Sequence, residues 1–137
     1  MINAKDLMTT HVVFIDPDEP VERAIELMLR HRVSGLPVVN SCGQLLGVIT
    51  EYDILDIIND PQTERKMVYH FMTRDPDTID ANASIFELGR LFHGRSIRRY
   101  PVMENDKLVG IISRRELIRF VRDVRLSAQA RKQPAAV

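Results

Sequence analysis

A single cysteine, Cys42, is the only thiol in this 137-residue chain, so no internal disulfide can form. A reducing cytoplasm is the compartment expected. No uncharged apolar run approaches the ~18 residues that a membrane-spanning helix needs. The opening residues, MINAKDLMTTHVV, have no basic stretch leading into an apolar one, so export is not expected. Catalytic equipment is missing as well. There is no serine–histidine–acid order, no phosphate-binding glycine loop and no pair of carboxylates set for acid–base work. His11, His31, His70 and His93 show no metal-ligand spacing with one another or with Cys42. Neither an enzyme nor a metal protein is expected. What the chain does have is 45% hydrophobic and 28% charged residues, the balance of a folded soluble domain. Its 15.8 kDa suffice for one ordinary core.

Net charge is absent only in the sum. Residues 1–64 carry four basic and eleven acidic groups, and the remainder carry fifteen and eight, so the halves stand at −7 and +7. Such a dipole suits either a second copy meeting half to half or an anion settled on the basic side. Fifteen of the 19 basic residues are arginine, the side chain suited to bidentate phosphate and carboxylate contacts.

The whole chain is a duplication. Met8-Thr9 lies over Met72-Thr73, 64 positions on, Ile15-Asp16 over Ile79-Asp80, and Pro37-Val38 over Pro101-Val102. One residue is then lost in a turn, and Gly47-Val48-Ile49-Thr50 falls over Gly110-Ile111-Ile112-Ser113, with Asp53 over Glu116. Each unit reads as strand, helix, strand, strand, helix. Val12–Ile15 is a short apolar run ended by Asp16-Pro17, which predicts a strand. Pro20 opens a helix whose apolar face is Val21, Ala24, Ile25 and Met28, reaching about Arg32. Leu36–Val39 and Leu45–Ile49 flank a turn and predict a hairpin, after which Thr50 can cap a helix carrying Tyr52, Ile54, Leu55 and Ile58. In the second unit Asn82 is the expected cap for a helix with Ile85, Leu88 and Phe92. A hairpin turning at Glu104-Asn105-Asp106 follows, then a last helix from Ser113 to about Arg125 and a frayed tail after Ser127.

The segments HRVSGLPVVN (31–40), GQLLGVITEYDIL (43–55), RSIRRYPVME (95–104) and KLVGIISRRELI (107–118) carry a resemblance. An apolar-Pro-apolar segment, a hairpin and Gly-h-h-Ser/Thr-x-x-Asp/Glu (h, apolar) recur in both units. This resembles a tandem pair of CBS domains, a Bateman module, from roughly Ala4 to Arg125. The resemblance implies an α+β fold of two β-α-β-β-α repeats packed through their sheets with pseudo-two-fold symmetry. Repeat 1 would cover 1–62, repeat 2 would cover 63–126, and 127–137 would be a flexible tail. It also implies frequent homodimers, adenosyl ligands bound in two clefts between the repeats, and a separate protein target that reads the bound state. No cofactor is required for this. The regulatory ligand would be AMP, ADP, ATP or another adenosyl compound.

At i and i+3, Thr50 and Asp53 share one face of a first helical turn. Free N–H groups there suit a phosphate, and the carboxylate can accept both hydroxyls of a ribose. The same two residues also make an ordinary helix cap and first-turn acid. By resemblance they share a cleft with Asp77, Thr78, Ile79, Ile97, Arg98, Arg99 and Pro101 of the other repeat. Ile79 and Ile97 would sandwich adenine. Arg98 and Arg99 would clamp phosphate or pair with acids of the first unit. A second, weaker cleft would join Ser113 and Glu116 to Val13, Val33, Ser34, Gly35 and Pro37. There the extra methylene of Glu116, standing where the family has Asp, would crowd the ribose. Two other readings remain open. One is an interaction and dimerisation scaffold with degenerate clefts. The other, nucleic-acid binding through the arginines of the last helix, is disfavoured because only Phe120 interleaves them.

Overall fold

The computed structural model describes residues 1–60, 65–94 and 98–132. Along the first repeat a one-turn helix α1 (Ala4–Leu7) precedes helix α2 (Val21–His31), strands β1 (Gly35–Val39) and β2 (Leu45–Thr50), and helix α3 (Glu51–Asp56). Helix α3 tightens into a 3-10 turn over Ile57–Asn59. The second repeat runs α4 (Val68–Phe71), β3 (Thr73–Arg74), β4 (Ile79–Asp80), α5 (Ile85–Phe92), β5 (Arg99–Glu104), β6 (Lys107–Ser113) and α6 (Arg114–Lys132). No helix among the described residues is long and apolar enough to cross a membrane.

Local chemistry explains most of these boundaries. The apolar face of α2 is buried through Val21, Ala24, Leu27 and Met28, and Arg32 ends the helix in the left-handed region at φ 53°. The first hairpin closes where the Asn40 side chain accepts from the N–H groups of Cys42 and Gln44, both at 3.0 Å. The second closes in two residues, Asn105 and Asp106, both at positive φ, as a tight hairpin of this hand requires. A bulge recurs at one place in each hairpin, between Val38 and Val39 and between Val102 and Met103.

Each sheet is completed by the other half of the chain. Strand β3 pairs antiparallel with β2, giving the order β1-β2-β3. Reciprocally, Thr9 bridges Ile111 of β6 through N–H···O contacts of 2.8 and 2.9 Å in both directions. The one-turn helices cross in the same sense. Ala4 is fully buried in the second repeat's core with Ile79, Leu88, Tyr100 and Ile112. Val68 is fully buried in the first repeat's core with Ile15, Leu36, Val38 and Ile49. Two glycines let the crossing strands pass. A methyl group on Gly47 would run into the Thr73 carbonyl oxygen, and one on Gly110 would meet the Met8 sulphur and lie 2.9 Å from the Thr9 carbonyl oxygen.

This exchange accounts for the departures from the sequence reading. The strand expected over Val12–Ile15 shrinks to a single parallel bridge, Ile15 to Val38. Thr9 is held by the second sheet and Ile15 by the first, so the residues between them span the gap and can ladder with neither. Ser84, not Asn82, caps α5, its hydroxyl accepting the Glu87 N–H at 3.2 Å. Asn82 instead donates its N–H to Asp80 in the preceding turn. Helix α6 does not stop near Arg125 but continues to Lys132 through good helix formers. Residues 133–137 of the expected tail lie outside the described residues.

Gly47→Ala should destabilise the fold by about 2–3 kcal/mol, because backbone must move to admit the methyl group. Gly110→Ala should cost less, since the nearest obstacle is a flexible methionine. Urea melts of both variants check this, and equal losses would show that the crossing strands are not the tight contact.

Candidate functional site

Thr50 ends β2 and caps α3 in one stroke, and this places the Thr-x-x-Asp pair where a strand enters a helix. The Asp53 carboxylate accepts the Thr50 N–H at 2.8 Å and the Thr50 hydroxyl at 3.0 Å. A third donor arrives from the other repeat, the Thr73 hydroxyl, 3.1 Å from Oδ1 of Asp53. The second repeat builds the same latch. Glu116 accepts the Ser113 N–H at 2.6 Å and the Ser113 hydroxyl, and the Thr9 hydroxyl donates to it at 3.2 Å. The longer Glu116 side chain thus makes every contact that Asp53 makes. Sequence reasoning aligned Thr9 with Thr73 but gave neither a role. Their shared signal was a hydroxyl beside Met at the start of each repeat.

Strand register sets what faces these latches. Gly35 pairs with Thr50 and Arg99 with Ser113, so each segment before the proline lies first against the cap of its own repeat. The Ser34 carbonyl accepts the Glu51 N–H at 3.0 Å, and the Arg98 carbonyl accepts the Arg114 N–H at 3.3 Å. The two repeats nevertheless meet across a cleft of about 550 Å³. Arg98 and Arg99 enter it from the second repeat. Arg32, Val33, Ser34, Glu51 and Ile54 line the first-repeat side, with Ile25, Met28, Leu29 and Leu55 around them.

The cleft therefore unites Arg98 and Arg99 of one expected set with Val33 and Ser34 of the other, and adds Arg32, Glu51 and Ile54. Thr50 and Asp53 adjoin it in the chain without lining it. Asp77 and Thr78 are exposed on the crossing between β3 and β4. Ile79 is 1% exposed and packs in the second core, paired with Val102. Ile97 lies outside the described residues. Pro37 and Pro101 are buried in β1 and β5, and Val13 packs against the first core. Arg32, Arg98 and Arg99 form no ion pair among the described residues. Nor does any group of three or more His, Cys, Asp or Glu among them stand ready for a metal ion.

Thr73→Val removes one donor to a half-buried carboxylate while keeping the side chain's shape. A loss of about 1 kcal/mol is expected in urea melts, and Thr9→Val should match it within experimental scatter. A neutral outcome for both would mean the hydroxyls are held no better by the protein than by water.

The CBS domain family matches residues 4–60 and again 68–123. The CBS domain-containing protein YhcV of Bacillus subtilis is 32% identical over 114 residues, spanning 82% of this chain and 81% of YhcV. MJ1225 of Methanocaldococcus jannaschii is 28% identical over 117 residues, which are 85% of this chain but only 42% of that protein. Among solved structures, CBSX2 of Arabidopsis thaliana in complex with AMP superposes with a TM-score of 0.83 at 29% identity, covering 91% of this chain and 99% of CBSX2. Two family matches over most of the chain, and a fold in which each repeat completes the other, lead to one conclusion: the chain belongs to the CBS domain family, as a tandem pair.

Proposed function

We propose that the protein is a non-enzymatic, cytoplasmic regulatory module, a homodimer that binds an adenine nucleotide between its CBS repeats. A protein target would read the resulting change in their arrangement. The observation that carries this reading is the cleft in which Arg32, Arg98 and Arg99, none of them ion-paired among the described residues, stand beside apolar Ile25, Val33 and Ile54. About 550 Å³ falls within the range of small-molecule sites. Apolar walls suit the faces of a purine, and guanidinium forks suit phosphate oxygens. The AMP bound by CBSX2 supports the same ligand class.

The latches supply a route from ligand to arrangement. A ribose hydroxyl that reached past the cleft lining to Asp53, the neighbour of Ile54 in the chain, would compete with the Thr73 hydroxyl that ties β3 to α3. Binding would then favour one setting of the seam over another by the difference in its affinity for the two. The engaged state of both carboxylates also favours a second reading, an interaction scaffold whose clefts are structural.

Thermal melting against adenosine, AMP, ADP, ATP and S-adenosylmethionine separates the two. A ligand at a hundred times its Kd adds roughly 2.7 kcal/mol, and a selective rise is expected for the phosphorylated members. Arg98→Ala and Arg32→Ala should each weaken ATP binding about tenfold while leaving adenosine nearly unchanged. A flat panel with a cooperative melt would select the scaffold.

A further inference from the structure

We infer that Met8 and Met72 form a paired oxidation site, and that a peroxide converting both to sulfoxides loosens the seam between the repeats. This rests on the fold and not on what the cleft binds. The chain has six methionines, and these two occupy the same place in the duplication, each just before the threonine of a latch. Each also packs on the core of the opposite repeat, Met8 on the second and Met72 on the first. There the sulphur lies against the glycine where the exchanged segment crosses the sheet. A methyl group on Gly110 would stand 2.5 Å from the Met8 sulphur, and one on Gly47 would stand 3.2 Å from the Met72 sulphur. The thioethers thus occupy the space beside both glycines, the kind of gap that a soft, unbranched side chain fills well.

Position makes these sulphurs both reachable and consequential. Met8 and Met72 are half-buried, whereas Met28 is 7% exposed inside the first core and Met1 is 95% exposed. In the reaction a sulphur lone pair attacks one oxygen of hydrogen peroxide. The S–O bond forms as the O–O bond breaks, and the leaving hydroxide takes the proton of the transferred hydroxyl and departs as water. Methionine loses two electrons and the peroxide gains them. The product carries a strongly polar oxygen on an atom packed against glycine backbone. Neighbouring N–H groups are already engaged, those of Thr9 and Ile111 with each other's carbonyls and those of Met8 and Met72 with the carbonyls of Ala4 and Val68. The new oxygen must therefore sit without a partner or carry its segment out toward water. The second course pulls on the sheet contact and on the latch threonine beside it. The Met8 sulphur stands the closer of the two to its glycine, so its oxidation costs more.

Hydrogen peroxide treatment of the full chain, followed by peptide mass spectrometry and thermal melting, is the test. Sulfoxide should form at positions 8 and 72 in the folded protein, well before Met28, and the melting midpoint should fall by about 5 °C or more. Methionine sulfoxide reductases for both epimers, with a dithiol as reductant, should restore it. A Met8→Leu/Met72→Leu chain keeps apolar side chains of similar volume. It should hold its midpoint through the same treatment, although Met1, Met67 and Met103 remain open to oxidation. Met8→Leu alone should protect more of the stability than Met72→Leu alone. Wild-type protein decides the matter even where the double variant folds poorly. Amide exchange at Thr9 and Ile111 should speed by about tenfold or more on oxidation and slow again on reduction. Sulfoxides at both positions with unchanged midpoint and exchange would overturn the inference, as would an equal fall in the double variant. So would positions 8 and 72 that oxidise only once the chain has unfolded.

Discussion

Everything in this molecule depends on the exchange of opening segments between the two repeats. Ala4 and Val68 are fully buried, each in a core built mainly by the opposite half of the chain. The first sheet takes its third strand, and the second its bridge at Ile111, from a Met-Thr segment of the other repeat, and Gly47 and Gly110 leave only enough room for that segment's backbone to pass. The seam between the repeats is therefore part of two hydrophobic cores and not a surface laid against a surface. Changes at the seam are felt in both cores, since close-packed interiors transmit strain instead of absorbing it.

The carboxylates of Asp53 and Glu116 occupy the polar edge of the same seam. Each gathers a backbone N–H and a hydroxyl from its own cap and a threonine hydroxyl from the other repeat. A charged acceptor with three donors is a stable arrangement, and it is also one whose donors can be exchanged for those of a ligand. One helix turn thus serves as a cap, a tie between repeats and an edge of the cleft.

Much of this was legible in the sequence, and the reasons it was or was not are specific. Thr50 as a cap, the end of α2 near Arg32 and both hairpins follow from signals within a few residues, and the duplication supported each by repeating it. The burial of Ile79 was not legible, because its parallel pairing with Val102 joins positions far apart in the chain, and periodicity carries no trace of it. The threonine hydroxyls of the latches escaped for the same reason. That the same kinds of donor converge on Glu116 as on Asp53 was hidden too, since one of them comes from Thr9, more than a hundred positions away. Arg32 reaches the cleft only through the left-handed turn that ends α2, a conformation not announced by its residue type.

Reciprocal exchange also bears on how such a chain can arise and diverge. A lone ancestral unit could have completed its core only by swapping segments with another copy, at a concentration high enough to hold the pair. Tethering two units makes that association intramolecular and independent of dilution. Once joined, the units no longer have to be identical to fit one another. One surface is then free to collect acids and the other arginines, and the charge of −7 on one half and +7 on the other records that freedom.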